Sequence, residues 1–139
     1  MLVKWLVKEE PENYSYSRFL KDGSTVWAGV KNPVAQRNLR SMKKGDGVFF
    51  YHTGKEKAVI GTATVSVPSY PDPKDTTGSL VVVELSAGTA LKRPVTLAEI
   101  KGDKRFASMP LVRIPRLSVQ PVTDDEWEMI EAMGNNLGK

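Results

Sequence analysis

One tryptophan, one histidine and a scatter of lysines and arginines carry most of the chemistry this sequence could perform. Trp27 closes a short extended stretch, Thr25-Val26-Trp27, directly before the turn Ala28-Gly29 and the helix start Asn32-Pro33. An indole at such a junction can show one ring face to a cleft. A nucleobase stacked on that face contributes about 1–3 kcal/mol. Core packing is the commoner fate of a tryptophan, and Trp5 and Trp127, on apolar faces, read that way. Asn32 suits a helix N-cap and Pro33 the first helical position. The free N–H groups there and the positive end of the helix dipole could also meet a ligand.

Tyr51-His52-Thr53 ends an aromatic, β-branched run that leads into a turn. His52 is the single histidine, so no histidine cluster can hold a metal. It is either a satisfied side chain or, if its strand end borders Trp27, a hydrogen-bonding edge of the same cleft. Lys31, Arg37, Arg40, Lys43 and Lys44 gather on and beside one helix, Lys55 and Lys57 in a hairpin, and Arg113 and Arg116 before a last strand. Each could meet a phosphate or be part of a solvated face. Lys plus Arg total 20 against 16 Asp plus Glu, a formal charge of +4. That excess permits nucleic-acid binding without demanding it.

Several function classes are excluded. The chain has no cysteine, which removes disulfides, thiolate zinc sites and thiol nucleophiles. It lacks the phosphate-binding G-x-x-x-x-G-K-[ST], the dinucleotide G-x-G-x-x-G, the G-x-S-x-G elbow and the zinc-deaminase H-x-E with P-C-x-x-C. Asp124-Asp125 falls at a helix start, where the dipole explains it. No cofactor, metal or catalytic set is expected. No apolar run approaches the ~20 residues of a membrane span. The opening MLVKWLVKEEPE is interrupted by Lys4, Lys8, Glu9 and Glu10 and reads as a strand rather than a signal peptide, so a cytoplasmic setting is the default.

These residues must be positioned by one domain, 1–139, a length that suits one core. Residues 2–8 alternate as a strand with Val3, Trp5 and Val7 on one face. Ser15 caps a helix over 16–22 that turns Phe19 and Leu20 inward, and Gly23 stops it. A helix from Asn32 to about Lys43 aligns Ala35, Leu39 and Met42. Gly47–Thr53 and Ala58–Val67 form a hairpin, and Gly61 in mid-strand signals a bulge or a close approach to the backbone. Pro68–Gly78 is turn-rich, Ser79–Ser86 is a buried strand, and Phe106–Leu111 is irregular. Leu117–Val122 is a last strand. Capping boxes begin at Thr96 and Thr123. The final helix turns Trp127, Ile130 and Met133 inward, and Gly134 stops it before a frayed end. The pattern predicts an α+β fold: a small, mostly antiparallel barrel or strongly curved sheet of five to six strands with short flanking helices.

Taken in order, a set of short marks resembles the EVE domain, a member of the PUA-like group related to YTH domains. They are Trp5-Leu6-x-Lys8-x-Glu10-Pro11, Trp27-x-Gly29-Val30-Lys31-Asn32-x-x-Ala35, Met42-x-x-Gly45-Asp46, Phe50-Tyr51-His52, Gly61, Tyr70-Pro71-Asp72, Arg93-Pro94-Val95-Thr96-Leu97 and Arg116-Leu117-Ser118-Val119. The resemblance implies a PUA-like barrel and a non-enzymatic module that recognises a modified base, notably modified cytosine in DNA, with RNA as another partner. It makes Trp27 the stacking platform. Gly29, Val30 and Asn32 would read the base edge, Lys8, Glu9, Tyr51 and His52 would line the slot, and Lys31, Arg37, Arg40, Lys43 and Arg116 would hold phosphates. Glu9 stands where the family often has Ser, and Lys31 where it often has Arg. Lys keeps the charge but loses the bidentate fork. On this reading Trp27→Ala abolishes binding and leaves the fold largely intact. Two other readings stay open: an RNA-processing nuclease using His52 and Lys8 as acid and base, and a sensor of a free nucleoside-like molecule.

Overall fold

A computed structural model describes residues 2–135. Alternation along KWLVKE builds β1 (Lys4–Glu9) with its two faces in two separate cores: Trp5 and Val7 join one, Leu6 the other. The same division runs through β3 (Gly47–His52), where Val48 and Phe50 face the first core and Phe49 and Tyr51 the second. A sheet buried on both faces needs cover on both. The first face is covered by α1 (Tyr16–Asp22) and α2 (Pro33–Ser41), through Phe19, Ala35 and Leu39. The second is covered by α3 (Leu97–Lys101), α4 (Pro110–Arg113) and α5 (Asp124–Gly134), through Ile100, Leu111, Trp127 and Ile130.

The sheet has six strands in the order β2-β5-β4-β3-β1-β6, with β2 over Ser24–Trp27, β4 over Ala58–Pro71, β5 over Val81–Thr96 and β6 over Val119–Val122. Every pairing is antiparallel except β1 with β3. The expected barrel does not close: β2 and β6 remain edges. Helix α2 occupies the gap between the β5 and β6 sides. Asn38 donates to the Val119 carbonyl at 2.7 Å, and Gln36 donates to the Val81 carbonyl at 3.1 Å while accepting from the Val81 N–H at 2.9 Å. Side-chain amides thus satisfy backbone groups that a closing strand would otherwise pair.

Gly61 shows both features expected of it. The β3–β4 register shifts between Phe50 and Tyr51, opposite Ile60, and the Tyr16 ring lies against the Gly61 backbone. Further register shifts carry β4 and β5 far beyond the expected Ala58–Val67 and Ser79–Ser86, so the turn-rich excursion shrinks. Bulges absorb the Pro68 and Pro71 region without ending the strand. Other expectations need correction. Val3 precedes β1 and is exposed, and Leu20 is 42 % exposed because α1 buries Tyr16 and Phe19 instead. Met42 is the C-cap of α2 rather than part of it. Residues 104–111 are ordered as a 3-10 turn, Lys104–Phe106, and α4, with Phe106, Met109 and Leu111 buried. Both capping boxes form, at Thr96 and Thr123. Most of the expected frayed end, residues 136–139, lies outside the described residues.

Candidate functional site

Trp27 ends β2, where Val83 of β5 is its cross-strand partner. It is only 6 % exposed. Its ring meets Phe50 edge-on, with centroids 5.4 Å apart at 83°, and Phe50 in turn meets His52 edge-on at 5.6 Å. A row Trp27–Phe50–His52 therefore runs along the first face of the sheet. Such T-shaped pairs set the positive edge of one ring against the negative face of the next.

The segment after Trp27 is held from one side only. Ala28, Gly29 and Lys31 are exposed, and Val30 packs against the Trp27 core. Gly29 has φ +79, a conformation that side chains rarely adopt, so the turn needs glycine there. Asn32 Oδ1 accepts from the N–H groups of Val34 at 2.9 Å and Ala35 at 3.0 Å. Its oxygen is committed to the cap, and only its Nδ2 can serve a ligand. Buried Gln36 donates to the Val30 carbonyl at 2.7 Å and so ties this segment through α2 to β5. In sequence Gln36 reads as part of the polar remainder of the helix. The signal that could find it is position, one turn after Asn32 and three residues before Leu39, on the inward stripe.

His52 is buried, 6 % exposed, and both ring nitrogens are engaged. Nε2 accepts from the Tyr16 N–H at 3.0 Å, so the proton sits on Nδ1, 2.8 Å from the Glu56 carboxylate. His52 is a strut between the start of α1 and the β3–β4 hairpin. Tyr16 is fixed further by its hydroxyl, which donates to the Thr62 carbonyl at 2.8 Å. Glu9 is spent within its own turn, accepting from the Asn13 side chain and the Glu10 N–H, each at 3.0 Å.

Lys8 and Tyr51 do not join this group. Both belong to the second face, where the Lys8 ammonium lies 5.5 Å from the Tyr51 ring centroid and donates to the Pro115 carbonyl at 2.7 Å. The expected slot is thus divided by the sheet. Trp27, Gly29, Val30, Asn32, Glu9 and His52 belong to one side, Lys8 and Tyr51 to the other. A one-residue step along a strand reverses the side chain, and Tyr51 and His52 are neighbours. The acid–base pairing of His52 with Lys8 is likewise not assembled. Of the expected phosphate contacts, Lys31, Arg37, Arg40, Lys43 and Arg116 are all exposed. Arg40 donates to the Ser79 carbonyl at 2.7 Å, which steadies it at the helix surface.

Asp46, completely buried, anchors the opposite end of β1. It accepts from the Trp5 indole at 2.9 Å, the Val3 N–H at 3.0 Å and the Lys43 N–H at 2.9 Å. Burial alone would raise its carboxyl, but these donors outweigh it and hold the group below the ordinary carboxylate value.

Comparison with known proteins places this arrangement. The EVE domain model matches residues 3–133. The chain is 28 % identical to human thymocyte nuclear protein 1, across 91 % of this chain and 71 % of that protein. Among solved structures, the NMR structure of Rpa0253 from Rhodopseudomonas palustris superposes with a TM-score of 0.93 at 40 % identity, covering 99 % of this chain and 97 % of that one. The crystal structure of human THYN1 protein in complex with 5-methylcytosine containing DNA superposes with a TM-score of 0.87 at 27 % identity, covering 95 % of this chain and 97 % of that one.

Proposed function

Since this chain belongs to the EVE domain family, we propose that it is a DNA-binding module that reads a modified cytosine without catalysing a reaction. The observation that carries this reading is the human relative crystallised with 5-methylcytosine containing DNA, whose fold this chain shares over 95 % of its length. The first face of the sheet supplies the matching chemistry. On this reading Trp27 provides the ring, Asn32 Nδ2 and the backbone of Gly29 and Val30 provide polar groups, and the exposed Lys31, Arg37, Arg40 and Lys43, on and beside α2, provide positive charge. Trp27 is closed over in the described state. On this reading the exposed segment Ala28–Lys31 is the part that opens to give access to its ring, held to the core through Val30 and its tie to Gln36.

Extracting a base from a duplex costs a few kcal/mol, comparable to the about 1–3 kcal/mol of one stack. Affinity then comes largely from phosphates and falls with salt. The test is a binding titration with duplexes carrying 5-methylcytosine or cytosine at one position, beside the same sequences as RNA. Tighter binding to the methylated DNA is expected. Equal affinity for both DNAs across a salt series would overturn the proposal.

A further inference from the structure

We infer that the cleft on the second face of the sheet, around Lys8 and Tyr51, is a separate site for the phosphate group of an organic phosphate. This inference stands apart from base reading, because it uses residues on the opposite side of the sheet from Trp27. The cleft, about 280 Å³, is lined by Lys8, Tyr51, Thr53, Gly54, Lys57 and Lys101, with Leu97, Leu111 and Pro115 as apolar walls.

Its charge is one-sided: the lining holds lysines from three different elements of the chain and no carboxylate. Lys8 is the informative one. It is half-buried, and its ammonium is held by the Pro115 carbonyl and the Tyr51 ring, both neutral. A solvated surface lysine is not held this way, and burial pulls the Lys8 ammonium below its ordinary value. An anion in the cleft would favour its charged form. Thr53 adds a second sign. Thr53 lines the same cleft, and its hydroxyl is buried with no hydrogen-bond partner among the described residues, so a turn about χ1 would present it to a ligand there. A buried hydroxyl without a partner costs free energy that a ligand oxygen can return. Tyr51, whose phenol burial pushes up to about 12, keeps its proton and can donate.

The frame is built rather than incidental. The Thr53 N–H donates to the Glu9 carbonyl at 3.0 Å, the Lys8 N–H to the Ser118 carbonyl at 2.9 Å, and the Leu97 N–H to the Lys57 carbonyl at 2.7 Å. These bonds fix the lining segments to one another. Three lysines and two hydroxyl residues on one lining suit a phosphate dianion, and the apolar walls suit the body of its ester. Such a group can come from a free nucleotide or from a nucleic-acid strand.

The experiment is a ¹H–¹⁵N NMR titration of the whole chain with inorganic phosphate, a nucleoside 5′-monophosphate and the parent nucleoside. Calorimetry then measures the monophosphate. Phosphate and monophosphate should shift the amides of Thr53, Gly54, Lys57 and Lys101, and the nucleoside should not. Lys101→Glu, at an exposed position, should weaken monophosphate binding about tenfold, in keeping with loss of one charge-assisted hydrogen bond. Thr53→Val removes only the unpartnered hydroxyl, so it should weaken binding without lowering stability, and Trp27→Phe should leave this site unchanged. An oligonucleotide with a 5′-phosphate, compared with its 5′-hydroxyl form and with the monophosphate, identifies which source binds more tightly. Absent shifts, nucleoside binding equal to monophosphate binding, or unchanged affinity in both Lys101→Glu and Thr53→Val would overturn the inference.

Discussion

Removing the Trp27 ring should damage the fold as well as the function, and the two effects can be separated. Trp27 is 6 % exposed, abuts Phe50 edge-on and faces Val83 across the ladder. Truncation to alanine at such a site costs about 3–5 kcal/mol. Small domains hold about 5–15 kcal/mol in total, so Trp27→Ala leaves a protein with little margin. The fold of this variant is therefore not left largely intact, contrary to what the sequence suggests, because the ring is part of the core. Trp27→Phe keeps an aromatic face and the packing on Phe50, at a cost of about 1–2 kcal/mol. In binding, one base–aromatic stack is worth about 1–3 kcal/mol, or roughly 5- to 150-fold in affinity. Both variants should be titrated with a 5-methylcytosine duplex at a temperature where circular dichroism shows them folded. Trp27→Phe should stay within about tenfold of the parent, and Trp27→Ala should lose at least about tenfold beyond any unfolded fraction. A folded Trp27→Ala variant that binds like the parent refutes stacking on this ring.

Three further outcomes follow from the geometry. Gly61→Ala would place a Cβ 2.3 Å from Tyr16 Cζ and 2.7 Å from its hydroxyl. Tyr16 cannot yield, being bonded to His52 and Thr62 and packed on Phe19 and Phe50, so urea denaturation should show a loss near the upper end of about 1–3 kcal/mol; a loss under about 0.5 kcal/mol would contradict the close approach. Asp46→Asn should lower stability at neutral pH. The native carboxyl lies below its ordinary value of 3.8, so its contribution is present above that pH and fades as acid carries the pH down toward the folded value. The thermal stabilities of parent and variant should therefore draw together as the pH falls below 3.8 toward the folded value, and a difference that does not shrink over that range would show that packing, not charge, is responsible. Replacing Arg37 and Arg40 together by Glu should weaken DNA binding and flatten its dependence on log salt by about 0.9 for each phosphate no longer neutralised; an unchanged slope removes these residues from the interface.

The local grammar of this chain was legible because it depends on near neighbours. Ser15, Asn32, Thr96 and Thr123 cap the helices their spacing indicated, and Ala35 and Leu39 share a buried stripe. Gly61 was readable as a close approach, though not that Tyr16 is what approaches it. What could not be read was non-local. Barrel closure depends on whether β2 meets β6, and α2 intervenes with Gln36 and Asn38, residues that are ordinary polar helix positions in one dimension. The lengths of β4 and β5 depend on bulges that no periodicity announces.

The composite slot dissolved for a more specific reason. Tyr51 and His52 group together because they adjoin in sequence, and Lys8 and Glu9 for the same reason. In a sheet buried on both faces adjacency separates side chains. Each pair straddles the sheet, so the residues expected in one slot fall into two groups that share β1 and β3. One has an aromatic row and a loop held mainly by Val30 and Gln36; the other has lysines and an unpartnered hydroxyl. The strands that carry them pair directly, Lys8 opposite Tyr51 and Glu9 opposite His52. This shared ladder is one direct physical link between the two sides. If both proposals hold, coupling between base binding and phosphate binding can pass through Lys8–Glu9 and Tyr51–His52, and also through the β3–β4 hairpin, where His52 meets Glu56 one residue from Lys57.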